Sequence, residues 1–249
     1  FLIVHDNKQQ NQGRLAIISI KGQDSPAYFP INWPSNAELP IDLEALTSIP
    51  GKNNSRFIAF SSAGKGYDIQ LDYTNKSISV IKVFQLANIP PDSNFEAFTL
   101  QNIGNKLVAV WGHRGADKQP ATIYWGLFDL ANYQIIPLGS AQLRVPFPTT
   151  NVRHISDIKL DAAGIVYLTS ASDTGDDGPF DSAVYVAGYL GLSGNKIIWK
   201  HNPELFPLHR FNYHKIEAIE LIPGANGGLV VGTDDENLGG YIYTLGQGN

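Results

Sequence analysis

One feature limits the architecture more than any other: a short segment opened by a carboxylate returns four times. It reads Glu44-Ala45-Leu46, Glu96-Ala97-Phe98, Asp157-Ile158-Lys159 and Glu217-Ala218-Ile219, at intervals of roughly fifty to sixty residues. Each copy runs into a glycine- or asparagine-rich turn, at 50–54, 103–105, 163–164 and 223–228, of the kind that closes a β-hairpin. Beyond each turn lies a continuous apolar run: 57–60, 107–110, 165–168 and 229–231. Such runs suit strands covered on both faces.

Third strands are predicted at 67–73, 122–129, 183–190 and 241–245, and fourth strands at 78–85, 134–143 and 196–200. No stretch of ten or more residues carries the 3.6-residue apolar period of a helix. The repeat unit is therefore a four-stranded antiparallel meander. Meanders of this kind bury both faces by stacking around an axis, which gives an all-β fold: a β-propeller of about five four-stranded blades, forming a single domain over 1–249. The first residues fit the same unit one strand late, with 1–4 as a second strand, 15–20 as a third and 27–33 as a fourth, while the last repeat stops after its third strand. The expectation is an N-terminal closing segment, absent from this chain, that supplies both missing strands.

The segments Lys215-Ile216-Glu217-Ala218-Ile219, 231–240 and Asp42-Leu43-Glu44-Ala45-Leu46 resemble those of the phytase-like propellers, the "esterase-like activity of phytase" group, and of related exported bacterial propellers of unknown role. The resemblance covers the repeat over most of the chain. It implies a propeller and admits a phosphoester hydrolase. It transfers no catalytic residue, because the chain carries Glu-Ala where such domains often have Glu-Gly.

Composition removes several functions. With 23 acidic and 18 basic residues and no run of lysine or arginine, the chain lacks the basic stripe that neutralises nucleic-acid phosphates. No apolar stretch approaches the ~20 residues of a membrane-spanning helix, so membrane insertion is not expected. There is no cysteine, which excludes disulfides, thiolate metal sites and a cysteine nucleophile. The absence of an initiator methionine points to a trimmed or processed chain, and processing would make it periplasmic or secreted. A nucleophile elbow, a zinc-peptidase helix, a P-loop and a dinucleotide fingerprint are all missing.

In a propeller the starts of the inner strands and the loops between second and third strands meet on one face. Glu44, Glu96, Asp157 and Glu217 would ring the channel mouth, where such an acidic set could take calcium or could lock the ring through backbone amides of the next blade. His5, Asp6, His113, Arg114, Arg153, His154, His214, Asp234 and Asp235 would gather around it as ligand-binding groups. The Arg-His pairs suit a small anionic ligand, with arginine forking onto an oxyanion and histidine titrating near neutral pH. The stretch 173–181, rich in Asp and Gly, is the most calcium-like loop, although it departs from EF-hand spacing. Two function classes follow: a module binding a small anion or another protein through an acidic mouth, with Trp33, Trp111, Trp125 and Trp199 as a flat aromatic surface, or a metal-dependent phosphoester hydrolase.

Overall fold

The computed structural model describes residues 1–21, 25–52, 55–222 and 227–246. Parts of the turns expected at 50–54 and 223–228 lie outside the described residues. Five small antiparallel sheets follow one another along the chain, the sheet set of a five-bladed β-propeller. The first contains β1 (Leu2–Val4), β2 (Leu15–Ser19) and β3 (Ala27–Ile31), and the second β4 (Leu43–Ser48), β5 (Arg56–Ser61), β6 (Lys65–Asp72) and β7 (Ser77–Gln85). The third holds β8 (Phe95–Ile103), β9 (Lys106–His113), β10 (Ala121–Asp129) and β11 (Gln134–Leu143). The fourth has β12 (Val152–Leu160), β13 (Ile165–Ser172), β14 (Asp181–Ser193), β15 (Lys196–His201) and β16 (His209–Asn212), and the fifth β17 (Ile216–Leu221), β18 (Leu229–Thr233) and β19 (Ile242–Leu245). One turn of 3-10 helix, Glu236–Leu238, is the helical segment among the described residues. No helix there is long and apolar enough to cross a membrane.

The chain's contacts gather into two compact units, Phe1–Phe95 with Asp129–Ile135, and Glu96–Phe128 with Ile136–Asn249. In the first, Leu15, Ile31, Leu43, Ala59, Tyr67, Ile69 and Leu71 make the core. In the second, Val108, Val110, Ile155, Ile158, Val166, Leu168 and Tyr185 are completely or almost completely buried within one larger cluster. Each such aliphatic side chain contributes about 1.5–3 kcal/mol on burial. The apolar runs of β9 and β13 therefore fix the positions of the inner strands beside them.

Turn chemistry sets the hairpin register. Gly164 has φ +92°, and a Cβ there would stand 2.0 Å from the Leu190 carbonyl oxygen, so only glycine closes the β12–β13 turn beside β14. The pairing that results joins Leu160 to Val166 and Ile158 to Leu168.

The fourth sheet departs from the four-stranded unit. β14 runs for 13 residues, long enough to carry two partners on one edge: β15 against Gly188–Ser193 and β16 against Asp181–Val184. His209 and Arg210 thus belong to a strand of their own, and Arg210 lies over the Phe147 ring at 4.7 Å. The tryptophans are packing groups. Trp125 stacks on Trp199 at 5.6 Å, Trp111 stacks on Tyr124 at 5.6 Å, and Trp33 meets Tyr67 edge-on at 5.5 Å. Trp111 and Trp125 are 6% and 8% exposed, so neither offers a face to solvent.

Candidate functional site: a ladder of cations and carboxylates

In the second unit, three cations from three consecutive sheets converge on the carboxylates that open the inner strands. Glu96, near the start of β8 and 4% exposed, meets Nη1 of Arg114, the residue after β9, at 3.3 Å. Arg153 of β12 forks onto Asp173 Oδ2 through Nε at 3.0 Å and Nη2 at 2.7 Å, and its Nη1 reaches Glu217 Oε1 at 3.2 Å. Lys215, just before β17, brings Nζ to the same Glu217 oxygen at 2.9 Å and also pairs with Glu236. The members form one electrostatic group, because Arg153 also feels Glu96, and Asp173 also feels Lys215 and Arg114.

Burial and charge compete at Lys215, Arg153, Asp173 and Glu217. The Lys215 ammonium is 3% exposed, and burial opposes its charge, yet Glu217 and Glu236 outweigh that cost and push it up to about 12. Arg153 moves the same way: burial opposes, and Glu96, Glu217 and Asp173 prevail. At Asp173 burial would raise the carboxyl, but the Arg153 hydrogen bond and charge hold it below its ordinary range. Glu217 is the exception. Burial lifts it further than Lys215 and Arg153 lower it, with Glu96 adding to the rise, and it reaches about 7.

Asp157 does not share this position. Glu96 and Glu217 stand two residues before Phe98 and Ile219, whereas Asp157 stands one before Ile158, so Ser156 occupies the matching place on β12. A one-residue step reverses the side of the strand to which a side chain points. Asp157 accordingly accepts the Ile158 amide at 2.7 Å and, from the fifth sheet, the Ile219 amide at 2.9 Å. Burial, partly offset by Lys159, raises it to about 7. Ser156 is buried too, donating to the Ile216 carbonyl at 2.7 Å. Asp157 and Ser156 tie the fourth sheet to the fifth.

The histidines divide in the same manner. His154, 3% exposed, accepts the Val145 amide at Nδ1 (3.2 Å) and places Nε2 2.8 Å from the Asp117 carbonyl, so its Nε2 carries the proton. Burial pushes its pKa down, and the ring is a neutral brace. His214 lies between side chains: Nδ1 is 2.6 Å from Asp235 Oδ2, and Nε2 is 2.8 Å from the Tyr243 hydroxyl. Asp235, 1% exposed, also accepts the Lys215 amide at 2.6 Å. Asp234 accepts the Glu236 amide at 3.2 Å. His113 ends β9, half-buried and in register with Thr122.

The other expected site residues belong to the first unit. Glu44 is the extra residue of a bulge between Leu43 and Ala45, and Lys8 bonds Asp42 at 3.0 Å while feeling Asp6 and Glu44. His5 Nε2 lies 3.0 Å from the Tyr28 hydroxyl. Among the described residues no group of three or more His, Asp or Glu side chains is placed to hold a metal ion. In the stretch 173–181, Asp173 binds Arg153, and Asp177 accepts the Asn237 side-chain amide at 3.1 Å.

Two contributors escaped the sequence reading, Lys215 and Tyr243. Lys215 had a usable signal, since it stands two residues before Glu217, and alternation along a strand puts such residues on one side.

No protein-family model and no curated protein matches the chain, so no family match confirms the phytase-like group. Among solved structures it is similar to the periplasmic gluconolactonase PpgL of Pseudomonas aeruginosa: 12% identity, 98% of this chain and 81% of that one, TM-score 0.42. It is also similar to the GH43 endo-arabinanase of Bacillus licheniformis, with 12% identity, 80% of this chain and 92% of that one, TM-score 0.34. A third similar structure is Sqt1 of Saccharomyces cerevisiae, with 8% identity, 94% of this chain and 57% of that one, TM-score 0.31.

Proposed function

We propose that this chain is a ligand-binding β-propeller module whose ladder of Arg114, Arg153 and Lys215 takes a small oxyanion, carboxylate or phosphate. The observation that carries this reading is the convergence of those three cations, each from a different sheet, on Glu96, Glu217 and Asp173. The acids hold the cations in fixed orientations, and a donor already oriented gives up less freedom when a ligand arrives. Arg114 is the open rung: 30% exposed, it spends one guanidinium nitrogen on Glu96. Its remaining N–H groups supply the planar fork that suits an oxyanion.

Isothermal titration with citrate, inorganic phosphate, sulfate and calcium chloride, each against the same protein, tests the reading. Binding of at least one anion is expected, weakened about tenfold or more in Arg114→Gln, since a hydrogen bond to a charged group is worth about 1.5–3 kcal/mol. Calcium binding without any anion binding would favour the acidic-mouth metal site instead.

A further inference from the structure

Asp235, His214 and Tyr243 form a hydrogen-bonded row that opens toward solvent. Asp235 is 1% exposed, the His214 side chain is 25% exposed, and Tyr243 is half-buried on β19. The Asp235 carboxylate accepts the Lys215 amide on Oδ1 (2.6 Å) and the Thr233 hydroxyl on Oδ2 (3.2 Å), so it meets His214 Nδ1, 2.6 Å away, as an acceptor. Nδ1 therefore carries a ring proton, and in the neutral ring Nε2 keeps its lone pair. The Tyr243 hydroxyl lies 2.8 Å from Nε2 and donates to it. A buried acid that orients a base, with the base in reach of a hydroxyl on a partly exposed side chain, is the arrangement that activates a nucleophile.

We propose that Tyr243 is an acyl-accepting nucleophile, with His214 as its base and Asp235 as the residue that positions that base. The inference does not depend on the anion reading. In the step, the Tyr243 oxygen adds to the acyl carbon of the donor while the phenol proton passes to His214 Nε2. The bond from that carbon to the leaving group then breaks, and the departing thiolate or phenolate takes the proton from Nε2. Burial and the Asp235 charge raise the phenol's pKa, so Tyr243 is protonated at neutral pH and needs a base at the moment of attack. Leaving-group strength sets the donor class. A phenol has an ordinary pKa of about 10 and a thiol about 8.5, whereas an alcohol is far less acidic. The tetrahedral adduct expels the weaker base, so thioesters and activated aryl esters leave their acyl group on Tyr243, while an alkyl ester expels the phenol again. Tyr241, 49% exposed and stacked on Tyr243 at 6.3 Å, offers aromatic surface to an aryl leaving group.

The experiment treats the full chain with p-nitrophenyl acetate near neutral pH and follows acetylation of each tyrosine by peptide mass spectrometry. Tyr243 should be acetylated about tenfold or more faster than Tyr213, which is 71% exposed, because a positioned general base is worth about 10²–10⁴-fold and burial takes back part of that. Ethyl acetate should label neither. His214→Gln should bring Tyr243 down to the Tyr213 rate or below it, with a thermal melt confirming the fold. Asp235→Asn tests the positioning role: the Lys215 amide claims the side-chain oxygen, the NH₂ group turns to Nδ1, and the ring proton moves to Nε2, where it blocks the transfer. Nitrogen-15 NMR of the His214 ring should report that change of tautomer, together with the loss of labelling. In the wild type, Tyr243 labelled no faster than Tyr213 overturns the proposal without recourse to any variant. Undiminished labelling in folded His214→Gln overturns it as well, and labelling by ethyl acetate overturns the donor class.

Discussion

The beginnings of β12 and β17 are built from similar polar residues and do different work. At β12, His154, Ser156 and Asp157 spend their polar atoms mainly on backbone groups, including those of Val145, Asp117, Ile216 and Ile219. At β17, Lys215 and Glu217 spend theirs on other charges. A side chain that satisfies backbone amides welds neighbouring segments, whereas one balanced against charges keeps a field that a ligand can alter. Residue type does not separate the two roles. The partners do: Asp157 meets the Ile219 amide of the next sheet, and Glu217 meets Arg153 and Lys215.

The largest effect that separates the regions is expected at His154. His154→Ala leaves the Val145 amide and the Asp117 carbonyl without their buried partner and should cost about 2–4 kcal/mol in chemical denaturation. A loss below about 1 kcal/mol would remove His154 from the scaffold. Asp157→Ala comes next, at about 1–3 kcal/mol, through the lost acceptor for Ile219, with anion affinity unchanged. Altered anion affinity in that variant would blur the distinction between β12 and β17.

Asp157 also has a signature in pH. Its carboxyl rises from 3.8 to about 7 on folding, so the folded state holds the proton more tightly. The stability it contributes is present below its unfolded pKa and is lost as pH rises through about 7. Glu217, raised from 4.5 to about 7, acts in the same direction. His154, lowered by burial, acts in the opposite direction, destabilising on acidification. Melting temperature against pH should therefore be compared between Asp157→Asn and wild type. The wild type should lose more stability from pH 5 to pH 7, and parallel curves would contradict the burial argument.

Smaller changes belong to the charge-balanced region. Tyr243→Phe removes the hydroxyl beside His214 while keeping the ring against Phe211 and Tyr241, and should cost about 0.5–1.5 kcal/mol. Glu217→Gln should move stability at neutral pH by less than about 1 kcal/mol, since the amide oxygen can still accept from Lys215 and Arg153. A larger loss would assign Glu217 to the scaffold.

Much of the fold was legible because repetition writes it several times: apolar second strands and glycine turns recur, and each copy corroborates the others. The fifth strand of the fourth sheet was not, since nothing local marks β14 as long enough to carry both β15 and β16. The departure of Asp157 could have been read from its spacing to Ile158. The partnering of Glu96 with Arg114, and of Arg153 with Glu217, could not, because those pairs join segments whose approach is set by packing between sheets. His154 illustrates the same limit: its residue type suggested a ligand, and burial made it a brace.

The central claim is that the inner-strand acids Glu96 and Glu217 orient cations for an oxyanion. A crystal structure grown with citrate and calcium both present tests it most directly. The account predicts a citrate carboxylate within hydrogen-bond distance of Arg114, with the Arg153–Glu217 and Lys215–Glu217 pairs intact. A calcium ion bonded at about 2.3–2.6 Å to both Glu96 and Glu217, with the cations swung away, would contradict it.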